Sequence, residues 1–112
     1  MKTPDDLENE VMEKYLPIAK KRAKHYLEQL EKSIEERKEE YYLYKRIGIG
    51  ETLENLSTDE DLTKEEQNSE EKSKIKAVIN TLAWNHIREK LDEANWKIAK
   101  INKYYYLVRI EE

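Results

Sequence analysis

Cations and aromatic rings are the side chains in this sequence whose types and spacing suggest chemistry. Lys20, Lys21, Arg22 and Lys24 stand almost side by side and are followed by His25. Lys97, Lys100 and Lys103 recur at intervals of three near the other end. Tyr15, Tyr26, Trp96 and Tyr104 are interspersed among them. Basic side chains neutralise phosphates and release counterions, and rings between them stack on exposed bases. The seven lysines and arginines are therefore a candidate polyanion site. Two features weigh against it. The formal net charge is −4, and Arg22 is the one arginine among the seven, although a guanidinium matches phosphate geometry better than an ammonium.

Other constellations point to less. His25 with Glu28, and His86 with Glu89, place histidine and glutamate three apart on a helix. Di-iron bundles use the opposite order, Glu then His. Position 22 is Arg and position 83 is Ala, so neither pair meets that pattern. There is no cysteine, which removes disulfides, thiolate catalysis and Cys-ligated zinc. No nucleophile–base pair is visible. The reading is of a non-enzyme with no catalytic residue, no metal and no cofactor. Gly48-Ile49-Gly50 lacks the following Gly-Lys-Ser/Thr of a phosphate loop, and Asp59-Glu60-Asp61 lacks the alternating ligands of a calcium loop.

Charge is unevenly spread. Residues 1–50 balance to zero. Residues 51–71 hold nine acids against Lys64 alone. Residues 72–112 carry an excess of four bases. The acidic stretch reads as a solubilising connector, or as a decoy aimed at a basic enzyme surface. Eight tyrosines and two tryptophans, with no phenylalanine, supply rings with polar tips, which suit interfaces. Tyr26, Tyr42, Leu43, Trp84, Trp96, Tyr104, Tyr106 and Leu107 are the candidate partner surface.

These side chains need elements to hold them. Trp84, Ile87, Leu91, Ala94, Ile98, Ile101, Tyr105 and Val108 alternate at three and four, the heptad rhythm of one helix pressed on another. Ala23, Leu27, Leu30, Ile34, Arg37, Tyr41 and Tyr44 repeat it. Thr3-Pro4-Asp5-Asp6 is a helix start, and Pro17 predicts a kink near Tyr15–Leu16. Gly48 and Gly50 predict the end of a long helix. Tyr104–Ile110 has high strand propensity, but the heptad phase runs through it and no strand partner is evident. Helix is therefore expected to about residue 108, with a short terminal strand as the alternative.

The spacing thus predicts an all-α chain forming a single domain over 1–112. Helices cover about 4–15, 17–46 and 70–108, with an acidic connector over about 48–70. The architecture is an antiparallel helical hairpin with a short kinked N-terminal helix, completing a four-helix bundle on dimerisation or with a partner. In that hairpin the two basic groups gather at one end. The first functional expectation is a non-enzymatic protein–protein interaction module, a small accessory or assembly subunit acting as a homodimer or within a larger complex. The second is a nucleic-acid-associated protein that binds phosphate through the basic end. No run reaches the roughly 18 apolar residues of a membrane span, and the first twenty residues lack a signal-peptide core. A cytoplasmic location follows from that reading. Abundant Lys and Glu with two Gln also match a thermophile pattern.

Overall fold

The N-terminal helix begins where its capping residues predict. Thr3 and Asp6 exchange bonds: the Asp6 amide donates to Thr3 Oγ1 at 3.1 Å, and the Thr3 amide donates to Asp6 Oδ2 at 3.0 Å. Two of the orphan donors of the first turn are thereby satisfied. The computed structural model describes residues 1–111. Helix α1 (Pro4–Glu36) runs through Pro17 without a break. Proline removes one backbone donor, yet Tyr15 and Ala19 on either side are buried and hold the turn in place. Helix α2 (Lys38–Tyr44) follows and closes at Lys45 in the left-handed conformation, φ 59°. Strand β1 (Arg46–Gly50) comes next, then a 3-10 turn at Asp59–Asp61, α3 (Lys64–Gln67) and α4 (Lys72–Glu93). Strands β2 (Trp96–Ile101) and β3 (Tyr104–Arg109) end the chain.

The protein is therefore mixed α/β, and the all-α hairpin and helical bundle are corrected. The three strands form one antiparallel sheet in the order β1-β3-β2. The heptad rhythm fails at Glu93 for a local reason. Asn95 adopts φ 62° and Asn102 adopts φ 59°. Asparagine tolerates this left-handed conformation better than most residues. The first ends α4, and the second turns a two-residue hairpin between β2 and β3. The apolar residues between them, Trp96, Ile98, Ala99 and Ile101, keep no strict two-residue period and fall on both faces of the strand. The strand partners missing from the sequence reading are β2 itself and the glycine-flanked β1. Gly48 and Gly50 bracket a bulge in β1 rather than a helix end.

Packing divides the chain into two compact units. Unit 1 is Met1–Lys24 with Asn55–His86, and unit 2 is His25–Glu54 with Ile87–Glu112. In unit 1 the buried apolar residues are Tyr15, Ala19, Ala23, Leu56, Leu62, Ile79, Ala83 and Trp84. From Asn55 onward the acidic connector belongs to this unit and is tied into it. Tyr15 donates from its hydroxyl to Glu66 at 2.7 Å, and Asp59 receives Lys72 and Lys76 at 2.8 and 3.0 Å. In unit 2 the buried residues are Tyr26, Leu30, Ile47, Ile87, Leu91 and Leu107. Ile47, Ile87 and Leu107 are fully buried, each worth about 1.5–3 kcal/mol of transfer from water. No helix among the described residues is long and apolar enough to cross a membrane.

Candidate nucleic-acid interface on the sheet

Register decides which face of the sheet each side chain occupies. Residues directly opposite share a face, and neighbours along a strand alternate. Ile47, Leu107 and Ile98 stand opposite one another across the three strands. Ile47 and Leu107 have no exposed surface, so this is the inner face. Trp96, Lys100, Tyr105 and Arg109 follow them by alternation. The outer face carries Arg46, Gly48, Lys97, Ala99, Ile101, Tyr104, Tyr106 and Val108. None of these eight is buried.

The outer face mixes cations with rings. The Arg46 guanidinium lies 4.5 Å from the Tyr106 ring centre, and Lys103 in the hairpin turn lies 5.3 Å from Tyr104. Such placements hold a cation against an aromatic ring. The three strands contain Arg46, Lys97, Lys100 and Arg109 and no acid. The segment 94–110 as a whole has no acid. The strands are thus locally basic, with Arg46 and Lys97 on the outer face and Lys100 and Arg109 on the inner, while the Glu40 carboxylate reaches Gly48 at the sheet edge.

The sequence-predicted polyanion residues divide between the units. Lys20, Lys21 and Lys24 are exposed on α1 in unit 1. Arg22 is engaged internally: Nε donates to Asp61 at 2.9 and 3.1 Å, and Nη2 donates to Thr58 at 2.9 Å. The hydrogen bonds to Asp61 hold its guanidinium more firmly protonated than usual. Lys97, Lys100 and Lys103 belong to unit 2. Lys97 is on the outer face. Lys100 lies on the inner face, 5.4 Å from the Tyr105 ring centre. Lys103 also approaches Glu51 at 3.8 Å. Neither unit holds all seven. Arg46 and Arg109 were missed by sequence reasoning; the acid-free run 94–110 was the signal that would have found Arg109.

The candidate partner residues divide as well. Tyr26, Trp84 and Leu107 are buried and serve the interior. Burial, with Glu54 adding to it, raises the Tyr26 hydroxyl above its ordinary value. Trp96 meets Tyr41 edge-on, with ring centres 5.1 Å apart and planes at 72°. Tyr104 and Tyr106 are on the outer sheet face. Tyr42 and Leu43 are 75% and 69% exposed on α2, with Tyr44 at 66%.

Unit 2 also holds a cavity of about 460 Å³ lined by Tyr26, Gln29, Leu30, Ser33, Arg37, Gly48, Ile49, Gly50 and Glu54. Here Arg37 donates to the Gly48 carbonyl at 2.6 Å, and Glu40 accepts from the Gly48 amide at 3.3 Å. Both bonds close the outer edge of β1. His25 and His86 fall in different units. Among the described residues no three potential ligands gather to hold a metal. No protein-family model, curated protein or solved structure matches this chain.

Proposed function

We propose that the protein binds single-stranded nucleic acid on the outer face of its sheet. One observation carries this reading: Arg46, Lys97, Tyr104 and Tyr106 share that face, and the strands contain no acid. Arg46 and Lys97 neutralise backbone phosphates. Tyr104 and Tyr106 offer rings to unpaired bases, a contact worth about 1–3 kcal/mol per base. The preference is for unpaired strands because bases stacked inside a duplex cannot reach a flat platform of rings.

Fluorescence anisotropy with a labelled oligonucleotide tests it. With two to three phosphates neutralised, log K falls with log salt at a slope of about −1.4 to −2.1. Tyr106→Ala weakens binding by about 10-fold or more. Replacing Arg46 and Lys97 by alanine flattens the salt slope. Replacing Lys20, Lys21 and Lys24 leaves binding near wild type. Absent binding, or binding indifferent to salt, removes the proposal.

A second reading is a non-enzymatic interaction module working as a homodimer. The side-by-side exposure of Tyr42, Leu43 and Tyr44 on α2 favours it, since tyrosine is enriched where interface energy concentrates. Light scattering on the purified protein tests it directly: a monomer at every concentration removes it.

A further inference from the structure

The two edges of the sheet differ. The outer edge of β1 is closed by Arg37 and Glu40, which take the Gly48 carbonyl and amide. The outer edge of β2 has no such cover. The Ile110 amide donates to the Asn95 carbonyl at 2.9 Å, which sets the parity of the β2–β3 ladder. Odd-numbered residues of β2 therefore turn their backbone groups toward β3, and Trp96, Ile98 and Lys100 turn theirs outward. No described residue bonds to these outward groups. An open edge of this kind is a template for another strand.

From this edge we infer that β2 pairs antiparallel with β2 of a second copy of the chain, across a two-fold axis at Ile98. The inference rests on the homodimer reading and puts its contact on the β2 edge in place of the exposed Tyr42, Leu43 and Tyr44 of α2. Register selects the arrangement. With Ile98 opposite Ile98, Trp96 of each strand stands opposite Lys100 of the other, and Lys97 stands opposite Ala99. All three outward residues of each strand are then paired. A shift of the axis to Lys97 or Lys100 sets two lysines directly opposite, which is repulsive. A shift to Ala99 leaves Trp96 unpaired. The chosen register also brings each Lys100 ammonium to a Trp96 ring, a cation–π partner.

The helix beneath the edge supports the same symmetry. A groove of about 210 Å³ runs along β2, lined by Arg88, Leu91, Asp92, Trp96, Lys97 and Ile98. Arg88 and Asp92 are exposed and one helical turn apart. Among the described residues neither has an ion-pair partner. The inferred dimer pairs Arg88 of one copy with Asp92 of the other, twice. It also places both outer faces on one side of a six-stranded sheet, doubling the basic surface.

Analytical ultracentrifugation of the full chain over a range of concentrations is the test. The wild type is expected to sediment as a dimer. Lys100→Pro removes an outward amide that the monomer does not use, and is expected to raise the dimer dissociation constant by about 100-fold with an unchanged circular dichroism spectrum. Arg88→Glu, a surface change that leaves the fold intact, weakens the dimer, and adding Asp92→Arg restores it. A wild-type monomer throughout overturns both the inference and the homodimer reading. A dimer indifferent to Lys100→Pro and to Arg88→Glu overturns the β2 pairing alone and leaves the homodimer to another surface.

Discussion

At the scale of single residues, Arg22 shows how a charge in a basic run can be structural. Its neighbours Lys20, Lys21 and Lys24 are exposed, but Arg22 is one quarter exposed and holds Asp61, which is 7% exposed. Asp61 also accepts from the Thr58 amide at 2.9 Å. Removing the guanidinium leaves a nearly buried carboxylate short of its main partner. Arg22→Ala is expected to lower the unfolding free energy by roughly 2 kcal/mol. Lys21→Ala should stay within about 0.5 kcal/mol, as surface substitutions do. Urea denaturation of the two variants separates the roles. Equal effects would mean that the Arg22–Asp61 pair contributes nothing beyond an ordinary surface contact.

At the scale of elements, β1 is the strand least visible in advance. Two glycines in five residues look like punctuation, and the sheet uses them as a bulge. Gly50 has φ 114°, a conformation side chains resist, whereas Gly48 has no such requirement. A Cβ at Gly48 would meet Tyr106 and Glu40 at 3.7 and 3.8 Å, ordinary contact distances. Gly50→Ala is therefore expected to cost roughly 1 kcal/mol or more, and Gly48→Ala less. Thermal melts of both variants check the order; a reversal would move the strained position. The same element explains why Tyr104–Arg109 is a strand. Central in the sheet, it draws hydrogen bonds from both β1 and β2, which outweighs the helical spacing of its apolar residues.

At the scale of the whole molecule, the acidic excess is not spread loosely along a tether. Asp59, Asp61 and Glu66 bind cations, hydroxyls and amides inside unit 1. The Thr63 amide, with help from the Tyr15 hydroxyl, lowers Glu66 below its ordinary value of 4.5. Lys72 and Lys76 lower Asp59 below 3.8. The unfolded chain therefore binds these protons first as pH falls. The stability they contribute is full above about pH 4.5 and is lost as pH drops through the folded values. Tyr15 is shifted the other way, raised above 10.0 mainly by burial. Its contribution is full below that value and is lost as pH rises beyond it. The unfolding free energy should be level through neutral pH and fall on both sides. Glu66→Gln should make the acid limb shallower in urea midpoints measured against pH; an unchanged limb would count against the assignment.

What the sequence determined alone was local. Thr3 with Asp6 three residues on starts a helix, and the seam residues Ala23, Leu30, Trp84, Ile87 and Leu91 are buried. Apolar spacing and capping chemistry act over one or two turns and need no distant partner. The charge asymmetry, and the cations Lys97, Lys100 and Lys103 among rings, were also legible. The tertiary structure decided what spacing cannot carry. Residues 94–108 contain apolar spacing that fits a helix, and pairing of β3 with β1, about sixty residues away in sequence, settles the choice for strands. That pairing then sorts rings and cations onto two faces, burying Leu107 and leaving Tyr106 and Lys97 outward. Face and burial are properties of register. Register exists only once strands from distant parts of the chain have met.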